Sequence, residues 1–297
     1  MGARLRVIRR RIRSVQSTMK ITRAMELIAA SRIVRAQQRV EAARPYAELL
    51  TRAMEDVARQ VGSLSHPLLE IRETPNRVGV FVVTSDRGLA GAYSANALRR
   101  AEEVVAEVRG RGPEAVLYVV GKKGESYFRF HGVPVEASWT GISEVPTYPA
   151  AEEIGERLIR DFAEARIDEL HAVFTHFRSA FSMRAIHQRF LPIPPHEVVR
   201  RELGKPHPEY LFEPPPAVIL GELLPQYVVT KVWAALLESA ASENAARRRA
   251  MKAATDNAEE LIKVLTRQAN RARQDEITSE IMEIVGGAEA LAQASGE

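Results

Sequence analysis

QYVVTKVWAALLESAASENAARRRAMKAATDNAEELIKVLTRQANRARQDEITSEIMEIV, residues 226–285, decides the fold. The stretch holds neither proline nor glycine, and Ala, Glu, Arg, Leu and Lys dominate it, all strong helix formers. Small or apolar residues recur at steps of three and four: Val228, Val232, Ala235, Ser239, Ser242, Ala246, Ala250, Ala253, Asn257, Leu261, Val264, Gln268 and Ala272. A single helix of this length measures about 90 Å at 1.5 Å per residue. It is too long to lie inside a compact domain and is expected to project.

The opening of the chain has the same character. From Gly2 to Val61 only Pro45 interrupts helix-forming sequence, and a proline there should bend the helix or unpair one carbonyl without ending it. Leu5, Ile8, Ile12, Val15, Met19 and Thr22 form a seam; after a phase slip at Met25 and Ala29 it continues through Ile33, Ala36, Val40, Ala43, Ala47, Leu50, Met54 and Val57. That is a coiled-coil stripe with one stutter. With such stripes at both ends of the chain, everything between begins where the first helix stops and finishes where the second starts. The two helices are therefore expected to pair antiparallel, with a globular body at one end. Two long helices folded into an ordinary bundle are the alternative, and they would need more apolar faces than these seams supply.

The 297 residues are 45% hydrophobic and 27% charged, which suits a soluble two-part molecule. Cysteine is absent, so disulfides and thiolate metal sites are excluded. No apolar run has the length of a membrane span. The Arg-rich start resembles a transit peptide but passes without a break into the coiled-coil seam. Net charge is +4 and unevenly spread: residues 1–60 hold fourteen Arg or Lys against five Asp or Glu, a surplus of nine, which leaves −5 for the rest. Glu26 is the first acid, after Arg4, Arg6, Arg9, Arg10, Arg11, Arg13, Lys20 and Arg23. Such a helix face is either solvated or matched to an acidic partner.

Between the helices, residues 62–76 read as a linker and 77–191 as a central Rossmann-like α/β domain with a mostly parallel sheet. Strands are expected at Val78–Thr84, Ala115–Val120 and Val133–Ser138, and helices at 95–109, 122–131 and Ala150–Ala165. Glu169–Phe177 and Met183–Leu191 read as a hairpin. Alternation followed by a hairpin predicts one antiparallel edge. Residues 192–225 are a proline-rich connection with room for a short strand at Ala217–Leu220, and 226–297 form the C-terminal helix and tip.

Catalytic chemistry is hard to find. Gly88 and Gly91 sit where an α/β fold can hold phosphate, but neither G-x-G-x-x-G nor G-x-x-x-x-G-K-[ST] is present. Gly121-Lys122-Lys123-Gly124 has the wrong spacing, and tight structural turns are the better reading of both. Histidines 66, 131, 171, 176, 187, 196 and 207 are scattered; His171, His176 and His187 share the hairpin without a carboxylate at ligand spacing. No paired catalytic carboxylates and no nucleophile elbow occur, so the residues argue against an enzyme. Ser239, Ser242, Asn244, Thr255, Asp256 and Asn257 bring polar groups into or beside the second seam, as register-fixing residues do. The tip Gly286–Ala292 lacks large anchor side chains.

Four stretches resemble the gamma subunit of the F-type ATP synthase, in order and across almost the whole chain. Ile12-Arg13-Ser14-Val15 and the run Met19 to Ser31 are similar to that family's N-terminal helix, and Ser85-Asp86-Arg87-Gly88-Leu89 to its turn after the first strand. Ser242 to Arg247 with Ala250 to Ala258 resembles its C-terminal helix, and Ile277 to Glu283 with Gly287-Ala288 its closing signature. Ala90, Ala92 and Ser94 depart from the residues more usual in the turn, often Cys, Gly and Asn. The resemblance implies a non-catalytic rotor subunit without a cofactor. Its implied partners are three alpha and three beta subunits, an epsilon subunit and the membrane ring of c subunits, at the cytoplasmic face of the bacterial cell membrane. It places coupling contacts at Lys20, Met25, Arg247, Gln274, Thr278 and Glu280, and foot positions facing the c-ring at Tyr210 and Glu213. A nucleic-acid-binding coiled coil is a rival reading of the basic helix, yet no aromatic residue lies between Met1 and Pro45 to stack on bases. A nucleotide-dependent α/β enzyme is the other.

Overall fold

The computed structural model describes residues 3–60, 66–179, 182–194, 197 and 211–294. Helix α1 spans Ala3–Gln60 and a 3₁₀ turn spans Pro67–Leu69; then come β1 (Arg77–Val83), α2 (Tyr93–Gly110), β2 (Glu114–Val120) and α3 (Lys122–Phe130). After these lie β3 (Val135–Trp139), α4 (Tyr148–Ala163), β4 (Glu169–Phe177), β5 (Met183–Leu191) and the final helix α5 (Pro216–Ala294). The chain forms two compact units: residues 1–28 with 248–297, and residues 29–247. Each is described by itself.

In the larger unit the sheet order is β3-β2-β1-β4-β5, parallel except where β5 runs antiparallel to β4. Val78, Val80 and Val82 face one side of the sheet with Leu117 and Val119, against Val104 and Val108 of α2 and Phe128 of α3. Phe81, Val83, Tyr118, Leu170 and Phe174 face the other side. The period-two alternation thus feeds two cores, as expected for a sheet clad on both faces. The second core also takes Met54 and Val57 of α1, Leu158 and Phe162 of α4, and Leu224, Val228 and Val232 of α5. Gly155 allows α4 to approach α5, since a Cβ there would lie 2.8 Å from Val229 Cγ2.

The domain limits read from the sequence follow element ends, whereas packing divides the helices themselves. Residues 29–60 of α1 and 216–247 of α5 belong to the unit that holds the sheet. The short strand expected at Ala217–Leu220 is helical, because α5 begins at Pro216 rather than near Gln226. Proline suits a first helical turn, where its missing N–H has no partner to lose. Pro225 then sits inside the helix. It is tolerated there because Leu220, Leu224 and Val228, at successive steps of four, are all buried in the core. Pro45 likewise interrupts neither α1 nor its stripe.

The smaller unit pairs residues 3–28 of α1 with the second part of α5. Thr22 Oγ1 lies 2.8 Å from Thr255 Oγ1, and Arg23 is 3.8 Å from Glu259. Nearer the N-terminus, Arg4, Val7 and Ile8 share a groove with Gln268, Arg271, Ala272 and Asp275. One numbering rises as the other falls, so the pairing is antiparallel, as the sequence predicts.

The seam of α1 is buried or half-buried throughout, from Leu5 to Val57. It has no phase slip: Glu26, half-buried, fills the heptad position between Thr22 and Ala29 and hides the continuity. The seam of α5 requires a larger correction. Up to Ala246 it is as read, but Ala253, Asn257, Leu261, Val264 and Gln268 are exposed. The residues facing inward are Met251, Thr255, Ala258, Leu265 and Ala269. Leu261, Ile262, Val264 and Leu265 supply apolar side chains to two competing faces, so periodicity alone could not choose between them.

Candidate partner surface and buried polar cluster

The turn after β1 is held by its own hydroxyl groups. Thr84 Oγ1 donates to Val120 O at 2.8 Å and accepts from Gly124 N at 2.9 Å. Ser85 Oγ and Ser94 Oγ are 2.7 Å apart. Gly121 has φ +95° and a Cβ on it would lie 2.4 Å from Thr84 O; at Gly124 the distance to Val119 Cγ1 would be 2.7 Å. The Gly121-x-x-Gly124 spacing therefore serves close backbone packing against Thr84. Asp86 accepts from Lys122 N at 3.2 Å and Ser143 N at 3.0 Å, while Asp86 N donates to Ser143 Oγ at 2.9 Å. Burial opposes its charge, but these donors and the Gly141 N–H hold its carboxyl below the usual carboxylate range.

A charged cluster lies beside this turn, inside the larger unit. Arg247 Nη2 donates to Glu243 Oε1 at 2.7 Å and approaches Gly88 O at 3.4 Å; Arg247 Nη1 lies 3.4 Å from Glu144 Oε1. Glu144 is also held by Arg32 of α1. Glu243 is 0% exposed, and burial lifts its carboxyl to about 7 despite the neighbouring Arg247. The Tyr93 hydroxyl is pushed up by burial and then by the charge of Glu243. Helix α1, the 141–147 loop, the turn after β1 and helix α5 thus meet at a cluster of linked ion pairs centred on buried Arg247.

The histidines have separate roles. His171 Nδ1 and His187 Nε2 are 2.7 Å apart, and His171 Nε2 is 3.0 Å from Glu169. His176 instead meets Glu238 of α5 at 2.6 Å, and His66 accepts from Leu68 N at 3.1 Å. His196 and His207 lie outside the described residues. Among the described residues no group of three His, Asp or Glu side chains is placed to hold a metal ion.

The third feature is a surface of the smaller unit. Arg4, Arg6, Arg10, Arg11, Arg13 and Lys20 are exposed on α1, with Val7, Ile21 and Leu27 among them. On α5 every residue from Ile277 to Ala288 is exposed, including Ile281, Met282, Ile284 and Val285. Five large apolar side chains within nine residues of one exposed helix are more than an isolated helix leaves in water without a partner.

Relatives share this build. A family model described as ATP synthase matches residues 4–291. The ATP synthase gamma chain of Parafrankia sp. (strain EAN1pec) is 54% identical, covering 98% of this chain and 99% of the relative. That of Acidothermus cellulolyticus is 54% identical over 100% of both.

The chain belongs to the ATP synthase gamma-chain family.

Among solved structures, a chain of the Tetrahymena thermophila mitochondrial ATP synthase central stalk and c-ring has 25% identity and a TM-score of 0.58, over 79% of this chain and 99% of that one. A chain of the Euglena gracilis mitochondrial ATP synthase (OSCP, F1 and c-ring) has the same fold, with 18% identity, a TM-score of 0.67 and coverage of 98% and 95%. Of the positions singled out by the family resemblance, Lys20, Gln274, Thr278 and Glu280 are exposed and Met25 is half-buried, all in the smaller unit. Arg247 is only 4% exposed, in the larger unit, engaged with Glu243 and Glu144. Glu213 is exposed and Tyr210 lies outside the described residues. Sequence reasoning missed Glu243, Glu144 and Arg32 as a cluster, because their contacts join residues far apart in the chain. No helix among the described residues is long and apolar enough to cross a membrane.

Proposed function

We propose that this chain is the rotating central stalk of an ATP synthase. Proton-driven turning of the c-ring is passed through it to three beta subunits, which make ATP in synthesis and drive the chain backwards in hydrolysis. The chain is not itself catalytic and needs no cofactor. Its partners are three alpha and three beta subunits, an epsilon subunit and the c-ring, with no nucleic acid and no small-molecule substrate. It is a peripheral protein at the cytoplasmic face of the bacterial membrane. The observation that carries the reading is the antiparallel pair at Thr22 and Thr255, continued by an exposed apolar helix end, in a member of this family.

Lys20, Met25, Gln274, Thr278 and Glu280 make the contacts that pass from one beta subunit to the next. Exposed charge pairs are worth about 0–1 kcal/mol each, weak enough to exchange as the chain turns. The cost of each rotational state is then set by which beta conformation the asymmetric surface fits best, a bias among bistable partners. Arg247 acts from inside, fixing α5 to the turn and to Glu144 so that torque does not shear them apart. Tyr210 and Glu213 face the c-ring.

Mixing the chain with purified alpha and beta subunits tests the proposal. One copy per alpha–beta hexamer with restored ATPase activity is expected. A hexamer that takes up no copy, or hydrolyses ATP equally well without it, overturns the reading.

A further inference from the structure

Strand β5 ends the sheet, with β4 its only strand partner among the described residues. A groove of about 510 Å³ runs beside it, walled by α2 and by five consecutive residues, Met183 to His187. Side chains of successive strand residues point to opposite faces. A groove lined by all of them therefore reaches the main chain of this edge strand where it lies beside α2. Such an edge offers main-chain N–H and C=O groups to another strand. Farther along, the edge is occupied: Lys231 Nζ approaches Arg189 O at 3.4 Å and is held by Glu197 at 2.8 Å.

The groove is basic. Arg99 bonds the Asn96 side chain, and neither Arg99 nor Arg184 enters an ion pair among the described residues. Arg100 is shared between Glu103 at 2.7 Å and Glu107 at 3.8 Å. His187 adds no charge, because burial, His171 and Arg100 lower its pKa to about 4.

We propose that the β5 edge from Met183 to His187 receives an extended acidic segment of a partner protein as a sixth strand, with carboxylates on its α2 side paired with Arg99 and carboxylates on its other face paired with Arg184, which shares the sheet face of His176 and Phe174. Main-chain bonds supply the affinity, and charge-assisted bonds to the two guanidinium groups set register and select acidic over basic strands. This surface is separate from the coupling positions above and does not depend on them.

The test titrates the full chain with two fluorescent peptides, one repeating Val-Glu-Glu, so that carboxylates lie on both faces of the added strand, the other repeating Val-Lys-Lys. Fluorescence anisotropy reads binding, and hydrogen exchange reads the amides of residues 183–187. The Glu peptide should bind, slow exchange at those amides and weaken with salt. The double variant Arg99→Glu, Arg184→Glu, in which both exposed positions are reversed, should bind it about tenfold or more weakly while melting as the parent does. No binding of the Glu peptide, or equal affinity for both peptides, overturns the proposal and leaves the arginines as guards against edge pairing. Protection elsewhere in the chain, or binding indifferent to the double variant, does so too.

Discussion

Thr22 Oγ1 and Thr255 Oγ1 lie 2.8 Å apart, joining the two helices of the smaller unit through a pair of buried hydroxyl groups. Each hydroxyl also lies within bonding distance of its own helix, Thr22 at Met19 O (3.0 Å) and Thr255 at Met251 O (2.9 Å). With one proton apiece, one hydroxyl donates across the interface while the other donates to its own helix. Replacing either threonine by valine leaves a weakened partner and should cost about 1–2 kcal/mol, whereas the double replacement should cost less than the sum. Urea unfolding of the four proteins measures this coupling; strict additivity would mean the two hydroxyls do not interact.

Burial along α5 gives a sharper test of which face turns inward. Leu265 is 3% exposed and Leu261 38%. Leu265→Asp places an unpaired charge in the interface and should cost about 3–5 kcal/mol. Leu261→Asp should cost well under half of that. Similar losses in thermal melts would contradict the packing.

Glu243 makes stability depend on pH. Its carboxyl is raised from 4.5 to about 7 by burial, so between those values the folded chain holds a proton that the unfolded chain has lost. Stability from this group therefore falls as pH rises from about 4.5 to about 7, by at most about 3 kcal/mol. Glu243→Gln has no such proton to lose. Its stability relative to the parent should rise between pH 5 and pH 8 in denaturant titrations, and a constant difference would show that Glu243 is ionised throughout.

Gly121 sits at φ +95° with Thr84 O where a Cβ would go. Gly121→Ala should destabilise by about 2–4 kcal/mol through backbone strain and displacement of Thr84. Gly132, which has φ +67° but nothing within 4 Å of its Cβ position, is the control and should cost less on alanine substitution, as read by thermal melting.

At the exposed end of α5, changing Ile281, Met282, Ile284 and Val285 together to serine alters side chains that are each at least half exposed. The melting temperature should hold, since exposed substitutions change stability by about 0.5 kcal/mol or less. ATPase activity reconstituted with alpha and beta subunits should fall severalfold. Unchanged activity would assign the partner contact to other residues.

Several features were open to reading from the residues. The helices at both ends, the heptad seam of α1, the alternating apolar strands and the β4–β5 hairpin follow from spacing and helix propensity. Pro216 and Pro225 misled, because proline suggested an extended connection, while burial of Leu220, Leu224 and Val228 holds those residues helical. Glu26 suggested a stutter in the seam that the packing does not contain.

What the amino-acid order determined by itself, outside the proline-bearing start of α5, is where the backbone is helical or extended and which α1 stripe is apolar, since both depend on neighbours within a few positions. Tertiary structure alone chose the face of α5 beyond Ala250, brought Arg32, Glu144, Glu243 and Arg247 together, and left β5 with β4 as its only strand partner among the described residues. The hydrophobic effect is non-directional, so two apolar faces of similar strength can be separated only by the partner helix that covers one of them.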